Sequence, residues 1–237
     1  MSETKVKRRS GSRIPFLIVA LLFAKVGAHA KEQRLVFLAN PADGPSSCWH
    51  AVKHYNHGLD LQIKGDLEGA IAEYQLSIGQ CSTFWRPVYN LGTALQAKGD
   101  FEEAIAQYRT VISKWPNIWQ AQLALGNALE HKSDLEGAIA QYRAVISKWP
   151  NILQAHEALG SILEDKGDFE GAISEYRAVI KRRKEYPEAH YHLARALQAK
   201  GDLEEAIVEY RMAISQRPNY PEAQSAVAEA LKVRGKS

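Results

Sequence analysis

The sequence is poor in the features that most often announce chemistry. It has two cysteines, Cys48 and Cys81, in 237 residues, which allows one disulfide at most. It shows no glycine-rich phosphate loop, no ordered serine, histidine and aspartate set, and no carboxylate pair in a pocket-like setting. Nothing therefore points to nucleophilic, phosphoryl-transfer or acid–base catalysis, so no enzyme and no cofactor are expected. Glycine (16) and proline (9) are not abundant, and charges of both signs are mixed along most of the chain. Nor does the main apolar run, Ile14 to Ala24, reach the ~20 residues a spanning helix needs: it has eleven and contains Pro15. What is plentiful is apolar side chain, 46% of residues, ample for a buried core.

A net charge of +3 would suggest nucleic acid or membrane partners, but its distribution removes the suggestion. Residues 1–30 hold six Lys/Arg and one acid, Glu3; setting them aside leaves 24 bases and 26 acids, about −2. The leader combines a cationic stretch up to Arg13, the short apolar run, and Ala28-His29-Ala30, whose small residues suit a signal peptidase. It reads as a cleavable signal peptide, residues 1–30, cut after Ala30. The chain is then periplasmic or secreted, without a membrane partner; the alternative is an uncleaved anchor. Residues 31–50 form a linker in which Pro41, Gly44 and Pro45 exclude a helix.

The dominant signal is a period of 34 residues. Gly-Ala-Ile-Ala-Glu-Tyr at 69–74 returns at 103–108, 137–142, 171–176 and 205–210 with small changes and no insertion. In the second unit, Val88, Leu91, Gly92 and Leu95 follow one helical face. Lys98-Gly99-Asp100 then breaks the helix, Gly99 taking the left-handed conformation and Asp100 capping the next helix. Phe101, Ala104, Ile105, Tyr108, Val111 and Ile112 make the apolar face of a second helix, which Trp115-Pro116 ends. Gly92 and Ala104 let the two helices approach closely, and Tyr108 is expected to fill the wedge toward the following unit.

These positions resemble those of the tetratricopeptide repeat (TPR) family, and the chain reads as an exported, bacterial-type member. The resemblance covers 51–220 as five repeats, 51–84, 85–118, 119–152, 153–186 and 187–220. The small residue of the first helix is Gly58, Gly92, Gly126, Gly160 and Ala194; the second helix carries Ala70, Ala104, Ala138, Ala172 and Ala206, then Tyr74, Tyr108, Tyr142, Tyr176 and Tyr210. Ser82 and Lys184 replace the closing proline kept at Pro116, Pro150 and Pro218, which should loosen the helix stop there. Residues 221–234 repeat the first helix alone and imply a C-terminal capping helix. The resemblance implies an all-α fold, a right-handed superhelical α-solenoid of helix-turn-helix repeats.

Cys48 precedes the first helix and Cys81 ends the antiparallel second, so both fall at one end of that hairpin. A disulfide between them suits an exported chain; two free thiols are the alternative. His50, His54 and His57 lie on one helical stripe, which allows a metal-binding reading, but their spacing matches no zinc motif and packed histidines are the expected case. Trp115 and Trp149 share one repeat position beside proline and read as packing between repeats.

By resemblance, the first helices line a groove that holds a peptide or protein segment, at positions 2, 5, 9, 12 and 13 of each unit. The candidate contacts are Tyr55, Arg86, Tyr89, Thr93, Leu123, Asn127, Glu157, Tyr191 and Arg195, with Leu59, Gln62 and Glu164 among the neighbouring lining residues. The N-terminal half of this lining is aromatic and neutral to basic; the fourth repeat is acidic, with Glu157, Glu164 and Asp165. The lysine and asparagine clamp of chaperone-binding relatives is missing, with Tyr55 and Leu59 in its place, which argues against such a role. The expected function is an exported interaction scaffold whose partner is a protein or peptide, not nucleic acid. A metal-binding protein and a self-associating structural module are the alternatives.

Overall fold

The computed structural model describes residues 48–235, which form eleven helices. The expected signal peptide, its expected cleavage site and linker residues 31–47 lie outside the described residues. The helices are α1 (Trp49–Lys64), α2 (Leu67–Gln80), α3 (Trp85–Lys98), α4 (Phe101–Lys114), α5 (Trp119–His131) and α6 (Leu135–Lys148), then α7 (Leu153–Asp165), α8 (Phe169–Arg182), α9 (Pro187–Lys200), α10 (Leu203–Gln216) and α11 (Pro221–Arg234). The chain divides into two compact units, Met1–Ala94 and Leu95–Ser237, the division falling inside α3.

In the first unit, α1 and α2 close a hairpin. Cys48 and Cys81 meet at its open end with Cα atoms 5.3 Å apart, within the span a disulfide bridges. Ala51 packs between them and Phe84 against them. The second unit repeats the motif as α5/α6, α7/α8 and α9/α10, with α4 against α5 and α11 against α10.

The same side chains build every hairpin. Each second helix buries its alanine and tyrosine. The tyrosine ring lies on the glycine of its own first helix: a Cβ on Gly58, Gly126 or Gly160 would fall 2.7, 2.5 or 2.8 Å from ring atoms of Tyr74, Tyr142 or Tyr176. The tyrosine thus locks its own hairpin, and Tyr176 also meets the next repeat, its ring stacked on His192 of α9.

The turns between paired helices show why 34 residues suffice. Gly65, Gly99, Gly167 and Gly201 take positive φ, and the following aspartate N–H reaches back to the first helix, as when Asp168 donates to the Leu163 carbonyl at 2.8 Å. This is the left-handed C-terminal cap, which satisfies carbonyls that the helix end would orphan. Asp66, Asp134 and Asp168 then cap the second helix by accepting from the N–H of Gly69, Gly137 and Gly171 at 2.9, 3.0 and 3.0 Å. Asp100 does not: Glu103 stands where those repeats have glycine, and the Asp100 carboxylate pairs with Lys98 at 3.0 Å. Asp202 pairs likewise with Lys200.

All five second helices have 14 residues and end at the same repeat position. The two that lack proline, ending at Gln80 and Arg182, stop as sharply as the others, so the expected loosening does not occur.

Candidate binding surface

Two repeat positions on the first helices carry most of the polar order. Position 12 is Gln62, Gln96, Glu130, Glu164 or Gln198, and in every repeat its side-chain oxygen accepts the hydroxyl of the second-helix tyrosine, at 2.6 to 3.2 Å. Position 9 of the next repeat adjoins it: Gln62 donates to Thr93 at 3.3 Å, and Arg195 contacts Glu164 at 2.9 Å. Faces of consecutive first helices are stitched together by these pairs.

In the first unit this order moves one expected contact into the core. Tyr55 is 0% exposed; its ring lies 5.1 Å from Phe84, and its hydroxyl accepts from Asn90 at 3.2 Å. Burial pushes its ionisation upward. Tyr55 is therefore a packing residue, and Leu59 and Gln62 are buried with it. Bulky Tyr55 and Leu59 at groove-lining positions are apolar enough to be drawn into the irregular first hairpin. What remains on the surface is half-exposed Trp85, Arg86 and Tyr89 on the first turns of α3, with the Arg86 guanidinium 5.1 Å above the Trp85 ring and Tyr89 edge-on to it at 6.1 Å. Burial raises the Tyr89 phenol to about 12. Thr93 is held by its bond to Asn90 and by Gln62. Sequence reasoning passed over Trp85, although it adjoins Arg86 and lies one helical turn from Tyr89.

In the second unit the expected residues lie on consecutive first helices. Leu123 and Asn127 on α5 are half-exposed, and Asn127 accepts the Tyr142 hydroxyl at 2.7 Å. Glu157 on α7 is bonded to Tyr186, whose ionisation burial and that carboxylate raise. Tyr191 and Arg195 belong to a denser cluster. The Tyr191 ring lies 5.1 Å from Tyr220, 5.9 Å from Tyr210 and 5.4 Å from His192, with the Arg195 guanidinium 6.0 Å away. His192 stacks on Tyr176 at 5.6 Å; burial, with Arg195 beside it, lowers its pKa to about 4, so its ring is neutral at physiological pH. Glu164 ionises above the usual carboxylate range because burial outweighs Arg195. Tyr186, His192 and Tyr220 were missed from sequence. A signal existed for two of them: Arg183 and Arg217 each stand three residues before a Tyr-Pro-Glu-Ala phrase, and each stacks on its tyrosine, at 4.7 and 4.9 Å.

The histidine stripe is organised by a carboxylate of the second helix. His54 and His57 both face one carboxylate, Glu73 on α2, at 2.7 and 3.1 Å, while His50 and His57 are exposed. Burial pushes the Glu73 carboxyl up, but the two histidine bonds outweigh it and hold it below its ordinary value. The same pairing recurs at the same separation as His156–Glu175 and His190–Glu209, both at 2.6 Å. It is a structural latch across the hairpin, present where position 4 is histidine and position 23 glutamate. Among the described residues no set of three histidine, cysteine or acidic side chains could hold a metal ion.

Comparison with known proteins places this geometry. The tetratricopeptide repeat profile matches residues 89–151 and, in a second form, 163–230. Among solved structures, a MamA protein is 21% identical over 71% of this chain and 92% of its own, with a TM-score of 0.64. YrrB, described as "a TPR protein with an unusual peptide-binding site", is 20% identical over 83% and 98%, TM-score 0.62. A tetratricopeptide repeat protein from Parabacteroides merdae gives 17% identity over 78% and 74%, TM-score 0.69. No curated protein matches significantly.

Proposed function

The chain belongs to the tetratricopeptide repeat family, a fold typical of protein interaction scaffolds, and from that premise we propose that its first-helix surface binds an extended peptide or protein segment in an exported setting. The observation that carries this reading is the Tyr191 cluster. A tyrosine already braced by Tyr220, Tyr210 and His192, beside an arginine paired to Glu164, offers rigid aromatic area at little cost in side-chain freedom. Leu123, Asn127 and Glu157 extend the surface along α5 and α7. Arg86, Tyr89 and Thr93 form a comparable patch on the first unit. A peptide-binding site in YrrB, which shares the fold, supports the class of ligand.

The leader supports export, and export supports closure of Cys48 with Cys81, since the bridge persists only in an oxidising compartment.

The test is selection of binders from a random peptide library on the chain, followed by titration of variants. Tyr191→Ala and Arg195→Ala should each weaken the selected peptides by about tenfold or more, as loss of an interface anchor does, with helicity retained by circular dichroism. Undiminished binding in both would place the ligand elsewhere.

A further inference from the structure

Helix α11 is built as the first half of a hairpin. In the fourth repeat, the side of the first helix that receives the second is marked at positions 4, 8 and 12: His156 meets Glu175, Gly160 lies under Tyr176, and Glu164 accepts the Tyr176 hydroxyl. The flanking positions 7 and 11 are sealed by the same packing. Leu193 and Leu197, which hold them in the fifth repeat, are 2% and 1% exposed. In α11 this face reads Gln224, Val227, Ala228, Leu231 and Lys232. Gln224, Ala228 and Lys232 are exposed, and Val227 and Leu231 half-exposed. The side of α11 that carries Ala223 and Ala230, both buried, is the one closed against the fifth repeat. Gln224 even keeps the backbone link of the histidines at its position: its amide donates to the Pro218 carbonyl at 2.8 Å, as His156 meets Pro150 and His190 meets Lys184.

We propose that this open face of α11 docks an amphipathic helix from a partner protein, seated as the second helix of a sixth hairpin. The hairpins of the second unit are the template. The docked helix sets a small residue against Ala228 and aliphatic side chains over Val227 and Leu231. One contact sets its charge. Position 12 is a glutamine or glutamate in all five repeats and accepts a tyrosine hydroxyl; Lys232 puts a charged donor there, which a carboxylate complements more strongly than a tyrosine hydroxyl does, so the partner brings a carboxylate where the repeats bring tyrosine. The second helices of another copy of this chain are not the occupant, because they already bury their alanines and tyrosines in their own hairpins.

The probes are two helix-stapled peptides with the Leu203–Gln216 sequence, one carrying Tyr210→Glu and the other Tyr210→Lys, titrated against the full chain by fluorescence anisotropy. The glutamate peptide should bind and the lysine peptide should bind at least about tenfold more weakly. Leu231→Glu and Ala228→Arg should each reduce binding by about tenfold or more, and Lys232→Glu should reverse the preference between peptides. Ala228 is exposed, so Ala228→Arg leaves the fold intact and keeps the test clean if Leu231→Glu unfolds. Absence of binding, equal affinity for both peptides, or binding that survives Ala228→Arg would overturn the proposal. Self-association of the chain that Ala228→Arg abolishes would assign the face to a second copy, and overturn it too.

Discussion

Ser133 has a φ of 63°, in a turn where four other repeats place glycine. A side chain in that left-handed conformation costs ~1–2 kcal/mol, while glycine gives back ~0.4–1 kcal/mol through the freedom of the unfolded chain. Ser133→Gly should therefore stabilise by about 0.5–1 kcal/mol, seen as a higher urea midpoint at unchanged slope. Gly126→Ala should act in the opposite sense. Alanine gains ~1 kcal/mol within a helix, but its Cβ would stand 2.5 Å from the Tyr142 ring, and such overpacking costs ~1–3 kcal/mol. A net loss of up to about 2 kcal/mol is expected; a gain in the same urea titration would mean that the hairpin opens freely. Both positions are small in the sequence, yet only the turn position was legible as a conformational demand. The close approach at Gly126 was legible as well, though not the ring that makes it, because spacing gives a face and not a partner.

The α1/α2 hairpin is the element with the most irregular first helix, with His54 and His57 at positions that are apolar in the second repeat. A bridge between its cysteines would close a loop with a sequence separation of 33, for which the chain-entropy relation gives about 3.7 kcal/mol. Exchanging both cysteines for serine should lower stability by up to that amount, with amide exchange quickening first in α1 and α2. Equal protection in the bridged and serine forms would show that the latch of His54 and His57 on Glu73 suffices. That latch was invisible along the chain, since its members lie 19 and 16 residues apart and meet only when the hairpin folds. The helices themselves were legible because one 34-residue pattern recurs five times. The stops at Gln80 and Arg182 were misjudged because both helices end there without the proline on which the sequence reading relied.

At the scale of the whole chain, a repeat frame held constant leaves only the surface residues to carry specificity, and fold alone does not name a ligand. Positions 5 and 9 gave Tyr89, Tyr191 and Arg195, which the structure leaves exposed or half-exposed. Tyr55 failed because the terminal repeat buries what an internal repeat displays. Charge behaves in the same way, being a property of the whole rather than of the frame. Residues 1–30 carry the basic excess, and the remainder balances at about −2 against +3 for the full sequence. Removal of the leader should therefore shift the isoelectric point from the basic side to the acidic side. Isoelectric focusing of the protein recovered from an exported fraction, with N-terminal sequencing, reads both consequences together. The expected result is an acidic species beginning at Lys31 with Cys48 and Cys81 bridged. A basic species retaining Met1 would instead make the leader an anchor, and would hold the first-helix surface at a membrane rather than free in solution.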